Sequence, residues 1–169
     1  MRTLIIGGAA SGKSEFAENL VTKSTLHKIY LASANIYDDE MQRKVEKHKI
    51  RRGNDWETIS EPLEAKKMIT NLKENQIMLF DCATMWLTNQ VLIKADMHAE
   101  ISELIEAIGI SKGNLTIVTN EVGSGIVPDN SMAREFRELQ GLLNQRLALI
   151  CDSVIKVIAG LPLYLKKSS

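Results

Sequence analysis

Short apolar runs alternate along the chain with stretches in which apolar residues recur every three or four positions. "TLIIG" (3–7) is an apolar run ended by glycine and reads as a buried strand. "KSEFAENLVTKS" (13–24) has helical spacing at Phe16, Leu20 and Val21, and "KIYLASA" (28–34) reads as a second strand. "DDEMQRKVEKHK" (38–49) opens on acidic residues, which suit the positive end of a helix. "WETIS" (56–60) fits a short strand, and "PLEAKKMITNL" (62–72) puts Pro62 at a first helical position, where its missing N–H is tolerated. "QIMLFDC" (76–82) reads as a buried strand; 84–94 and 99–109 read as helices, the second closed by Gly109. "LTIVTNEV" (115–122) is a further strand. The segment 131–152 is a long helix with Phe136, Leu139, Leu143, Leu147 and Ile150 as its core stripe. "SVIKVIAG" (153–160) and "PLYLK" (162–166) complete the sheet.

Apolar strands separated by helices predict an α/β fold, a mainly parallel sheet covered by helices on both faces. No linker, repeat or low-complexity stretch interrupts the 169 residues, so a single domain over 1–169 is expected. The longest loop candidate is "NEVGSGIVPDN" (120–130).

Composition narrows the function classes. Lys plus Arg number 21 and Asp plus Glu number 21, a balance that argues against nucleic-acid or membrane-surface binding driven by charge. No apolar run approaches the roughly 18 residues of a membrane span, and glycines break the N-terminal apolar run before it becomes a secretory signal. Cys82 and Cys151 lie in apolar stretches and read as buried free thiols, which fits a cytoplasmic protein. His27 and His98 read as surface residues, and no zinc-ligand spacing occurs.

The chemistry begins at "GGAASGKS", a G-x-x-x-x-G-K-S pattern between a predicted strand and a predicted helix. Glycines let backbone N–H groups turn inward around an anion, and the helix N-terminus adds partial positive charge. Lys13 would reach the terminal phosphates and the Ser14 hydroxyl would ligate Mg²⁺. Asp81, at the end of "IMLFD", is the candidate for the metal shell; its alternative is a cap on the following helix. The guanine-reading N-K-x-D of switch GTPases does not occur, and no basic tract with interleaved aromatics suggests a helicase. An enzyme acting on a small molecule remains.

His48 stands among Lys44, Lys47, Lys49, Arg51 and Arg52. On a helix over 38–49 it shares a face with Met41 and Val45, so one reading is a histidine packed at the edge of the core. The other reading starts from the charges. A basic cluster disfavours a second positive charge on the ring, and a neutral imidazole is a nucleophile able to attack an α-phosphate and expel pyrophosphate. The flanking cations would then neutralise charge on the phosphates.

Several stretches together carry a family resemblance: "GGAASGKSEFAE", "DDEM" followed by "H-K-x-R-R" and "W-x-T", "FDCATMWLTN", "TNEVGSGIVP", "AREFRELQGLLNQRLA" and "AGLPLYLK". In this order, and over nearly the whole length, the chain resembles the bifunctional adenosylcobinamide kinase/adenosylcobinamide-phosphate guanylyltransferases of cobalamin biosynthesis. The resemblance implies a RecA-like P-loop fold and a homotrimer. It implies phosphorylation of adenosylcobinamide by ATP or GTP, then transfer of GMP from GTP through a GMP–histidine intermediate at His48, giving adenosylcobinamide-GDP and pyrophosphate. Nucleotide contacts carried over residue by residue are Gly7, Gly8, Ala9, Ala10, Ser11, Gly12, Lys13 and Ser14; Ala32, Ser33 and Ala34; Lys49, Ile50, Arg51 and Arg52; and Glu61 and Asp81. The chain departs from the family at Ala10, where arginine is common, and at Gly53, where proline is common. Loss of the arginine is expected to weaken the kinase step or change donor preference, and Gly53 to free its loop.

Two other readings stand beside this one. The phosphate cradle alone would suit a small-molecule kinase without nucleotidyl transfer, and the 120–130 loop would suit a nucleotide sensor that closes without turnover. Glu121 reads either as a hydrogen-bond acceptor or metal-shell residue, or as a turn residue. Arg134 and Arg137 read as exposed charges or as contacts to phosphate or a second subunit.

Overall fold

The computed structural model describes residues 1–34, 53 and 55–167. In chain order the elements are β1 (Arg2–Gly7), α1 (Lys13–Thr22), β2 (His27–Ala32), β3 (Trp56–Ser60), α2 (Ala65–Thr70), β4 (Gln76–Asp81), α3 (Ala83–Leu92), α4 (Met97–Ile110), β5 (Asn114–Asn120), α5 (Ser131–Ile150), β6 (Ser153–Ile158) and β7 (Leu161–Lys166). The expected helix over 38–49 lies outside the described residues.

The strands form one seven-stranded sheet in the order β3-β2-β4-β5-β1-β6-β7. All neighbours are parallel except β6 and β7, which form an antiparallel edge. The strand sequences explain this: their apolar runs feed both faces at once. Leu4, Ile29, Leu31, Met78, Phe80, Leu115 and Ile117 point to one face, where they pack with α2, α3, α4 and α5. Ile5, Tyr30, Leu79, Val118 and Ile155 point to the other, where Ala17 and Val21 of α1 cover them. Burying each such aliphatic side chain stabilises the fold by about 1.5–3 kcal/mol.

Several predicted boundaries move, and two have a visible cause. Pro62 does not open α2; the helix starts at Ala65. One Glu61 carboxylate oxygen accepts the N–H groups of Leu63 and Glu64, both at 3.0 Å, which makes a turn there instead. The carbonyls of Pro62 and Leu63 are drawn to Asn89, Trp86 and Gln90 of α3 rather than into helical bonds. Gly109 does not close α4, which runs to Ile110. Arg2 donates to the carbonyls of Ile108 and Gly109 at 2.8 and 2.6 Å, satisfying helix-end acceptors that a terminal glycine often helps to satisfy.

Candidate nucleotide site

Among the described residues, the phosphate loop and the ends of β2, β4 and β5 meet at the C-terminal edge of the sheet, where ligands bind in open α/β folds. Two open depressions among the described residues, about 530 and 580 Å³, lie at the opposite edge beside Asp152 and Asn75. They are remote from this chemistry.

The turn from β1 into α1 is the glycine-rich segment. Gly12 caps the helix at φ +87°, and a Cβ there would meet Gly160 Cα at 3.1 Å. Only glycine takes that conformation without strain and leaves room for the β6–β7 turn. The two segments are also bonded, Gly160 N–H donating to the Ser11 carbonyl at 2.8 Å. At Gly7 a Cβ would come within 2.5 Å of Ser11 Oγ and 2.7 Å of the Val157 carbonyl, so the turn closes only over a bare backbone. Lys13 folds back over the cradle and donates to the Gly8 carbonyl at 3.0 Å. Ser14 follows on the first turn of α1, partly exposed. Ala10 is exposed at φ 54°, a conformation that costs any L residue, whether alanine or arginine. Gly53 sits at φ +71°, which proline's fixed φ cannot reach, so the glycine is used there.

Asp81 ends β4, one strand removed from β1, with β5 between them. The N-cap position of α3 belongs to Cys82, the next residue along. The Asp81 side chain accepts a hydrogen bond from the Tyr30 hydroxyl at 3.1 Å. Ser33, fully buried, ties the ends of β2 and β4: its Oγ donates to the Cys82 carbonyl at 2.7 Å and accepts the Cys82 N–H at 2.9 Å. Its carbonyl is held by Asn89 at 2.8 Å. The Ser33 hydroxyl thus fixes the chain on the far side of Asp81 through the Cys82 backbone. Ala32 and Ala34 flank it at the same edge.

Cys82 lies close to these groups but is not a nucleophile. Burial, then the neighbouring Asp81 charge, pushes its thiol up to about 12 against the opposing pull of Lys13, so it stays protonated. Cys151 is likewise buried and pushed up to about 12.

Glu61 and Glu121 each hold a turn through one carboxylate oxygen. Glu61 holds the entry to α2, as described above. The Glu121 carboxylate accepts from Gly123 and Ser124 N–H at 2.6 and 3.1 Å, and its hydrogen bonds with Ser124 lead in holding it below the ordinary carboxylate range. Of its two readings, the turn residue is the one these contacts describe. Its own N–H donates to the Gly7 carbonyl at 3.1 Å, so the turn braces the phosphate loop. Arg134 folds onto the carbonyls of Pro128 and Asp129.

Sequence reasoning missed a buried polar network beneath the site. Thr84 Oγ1 accepts the Asn120 N–H at 2.8 Å, and Asn144 Nδ2 donates to the Asn120 carbonyl at 3.0 Å. Thr119 donates to Asn144 at 2.7 Å, and Gln140 donates to both Thr119 and Asn144. Side chains from α3 and α5 thus fix the end of β5 beside Gly7, its register partner being Asn120. The sequence signal was present in "QGLLN", where Gln140 and Asn144 stand one helical turn apart on a core helix, but nothing local says what they bond.

His48, Lys49, Ile50, Arg51 and Arg52 lie outside the described residues. Among the described residues no three His, Cys, Asp or Glu side chains gather to hold a metal ion. None of the helices there is long and apolar enough to cross a membrane.

The fold is that of RecA-like P-loop NTPases. A Pyrococcus horikoshii OT3 protein superposes with TM-score 0.58 at 11% identity, covering 99% of this chain and 87% of that one. The flagellar accessory protein FlaH of Methanocaldococcus jannaschii superposes with TM-score 0.54 at 11% identity, covering 99% and 78%. The sequence is similar to the bifunctional adenosylcobalamin biosynthesis protein CobP of Pseudomonas aeruginosa, 39% identical over 98% of both chains. It is also similar to the protein CobU of Escherichia coli K12, named in the same way, 34% identical over 98% of this chain and 100% of that one. The family described as cobinamide kinase / cobinamide phosphate guanyltransferase matches residues 3–165. With the phosphate loop, Lys13 and Asp81 brought to one edge of a RecA-like sheet, the chain belongs to the cobinamide kinase / cobinamide phosphate guanyltransferase family.

Proposed function

We propose that this chain, as one catalytic domain, phosphorylates adenosylcobinamide and then converts the phosphate to adenosylcobinamide-GDP. The observation that carries the reading is a phosphate loop at the C-terminal edge of the sheet in a chain matched by the family over residues 3–165. In the first step the substrate hydroxyl attacks the γ-phosphorus of ATP or GTP, the bond to the β-phosphate oxygen breaks, and the nucleoside diphosphate leaves. Residues 7–14 hold the phosphates through backbone N–H groups, and Lys13 swings from the Gly8 carbonyl to the developing charge.

In the second step a neutral His48 nitrogen attacks the α-phosphorus of GTP. A P–N bond forms as pyrophosphate leaves, with Lys49, Arg51 and Arg52 offsetting its charge. A phosphate oxygen of the substrate then attacks the same phosphorus, breaks the P–N bond and regenerates the imidazole. Mg²⁺ suits the donors at the loop: one hydroxyl, Ser14, and one carboxylate, Asp81, leave most of an octahedral shell to phosphate and water. When bound, it neutralises phosphate charge.

We further place the chain in the cytoplasm as a homotrimer. Supporting self-association, β7 is an edge strand with Leu161, Leu163, Tyr164 and Leu165 all exposed. Light scattering on the wild type and on Leu163→Glu tests this, with a threefold mass expected for the first and a lower mass for the second.

The two-step assignment is tested by assaying the steps apart. Wild-type protein is expected to release about one pyrophosphate per active site from GTP alone, as the GMP–histidine forms, and to go on releasing it only when adenosylcobinamide phosphate is supplied. His48→Ala is expected to keep phosphoryl transfer and lose guanylyl transfer. Equal guanylyl transfer by wild type and His48→Ala would reject the histidine route, and phosphoryl transfer with no guanylyl transfer by either would leave the plain kinase chemistry of the phosphate loop.

A further inference from the structure

Tyr30 is one of the largest side chains on the α1 face of the sheet and is 8% exposed. Such a residue in an apolar strand passes for core packing. Its hydroxyl, however, ends on Asp81: the register pairs Tyr30 with Leu79 and Ala32 with Asp81, so the ring starts one same-face step behind the carboxylate and reaches forward to it. The ring is itself fixed edge-on by Trp56 of β3, with centroids 6.5 Å apart and planes at 71°. Ser33, three residues along from Tyr30, clamps the backbone of Cys82 on the other side of Asp81. Backbone and side chain of the acid are thus both aligned from the end of β2.

We propose that Tyr30 is a positioning residue for Asp81, and that its hydroxyl sets how strongly magnesium tightens nucleotide binding. The inference rests on the reading of Asp81 as a magnesium-side carboxylate and adds the group that orients it. A carboxylate free to rotate about its last torsion spends part of its time turned from the phosphates; one held by a buried hydroxyl presents a single orientation. The ring keeps its apolar contacts in phenylalanine, so Tyr30→Phe removes the hydroxyl alone.

The test is calorimetric titration of GTP, as its α,β-methylene analogue that His48 cannot cleave, into wild type, Tyr30→Phe, Asp81→Asn and the double variant, each with excess magnesium and again with EDTA. GTP affinity in EDTA is expected to stay within about twofold across the first two proteins. The magnesium-dependent gain is expected to fall about tenfold in Tyr30→Phe, the weight of one hydrogen bond to a charged group, and to vanish in Asp81→Asn. The double variant should bind as Asp81→Asn does, because Tyr30 acts only through that carboxylate. A lost gain in Asp81→Asn with an unchanged gain in Tyr30→Phe overturns this proposal alone. An unchanged gain in Asp81→Asn overturns the magnesium reading and the proposal together. Equal weakening of Tyr30→Phe with and without magnesium makes the tyrosine a packing residue and also overturns it.

Discussion

Asp81 at the centre of the sheet edge and the glutamates on its flanks, Glu61 and Glu121, share a position but differ in their partners. Each glutamate has a carboxylate oxygen bonded to two backbone N–H groups of its own turn. Asp81 has a tyrosine hydroxyl on one oxygen and stands one residue before Cys82, the N-cap position of α3. An acid at the mouth of an α/β sheet is therefore not a ligand by position alone. Local N–H groups decide first, because an acidic side chain readily accepts the backbone N–H groups two and three residues on and so closes a turn.

The strongest way to break the contrast is at the centre. Lys13→Ala is expected to lower turnover of both steps by about 100-fold or more, with an unchanged melting temperature, as for removal of a charge aimed at a transition state. Steady-state assays with a calorimetric scan check it; turnover within a fewfold of wild type would remove the phosphate loop from the chemistry. Gly12→Ala is expected to destabilise by about 1–3 kcal/mol, since φ +87° strains alanine and its Cβ meets Gly160 at 3.1 Å. Urea unfolding measures that loss, and GTP affinity should fall with it.

The flanks should respond in the opposite sense. Glu61→Ala and Glu121→Ala are each expected to cost about 0.5–2 kcal/mol of stability, as for a lost cap, while saturated turnover stays within about threefold. A collapse of turnover at full stability in either variant would move that glutamate into the site. The smallest effect is titration of Glu121. Its folded value is depressed, so its contribution is complete above the unfolded carboxylate range and is lost as pH falls through the folded value. Amide shifts of Gly123 and Ser124 should hold above that range and move together below it.

The sheet was legible because continuous apolar runs such as "TLIIG" and "QIMLF" have no other use than two-sided burial. The phosphate loop was legible because its glycines and lysine answer to local backbone geometry. What stayed hidden is non-local. Arg2 reaches across the fold to Ile108 and Gly109 and moves the end of α4; Asn89, Trp86 and Gln90 take the carbonyls that Pro62 and Leu63 would have spent on a helix. The Ser33 hydroxyl clamps the backbone of Cys82 across two strands, which no neighbour in the sequence announces. Tyr30 looked like core and reaches Asp81 only because parallel pairing sets their strands in register.

The claim on which both halves of the chemistry meet is that His48 carries the nucleotidyl group. Protein incubated with α-labelled GTP, quenched and digested should yield label on the peptide containing His48, acid-labile and stable to base, and chased by adenosylcobinamide phosphate. Wild-type protein that turns over under these conditions with no label on that peptide would contradict it.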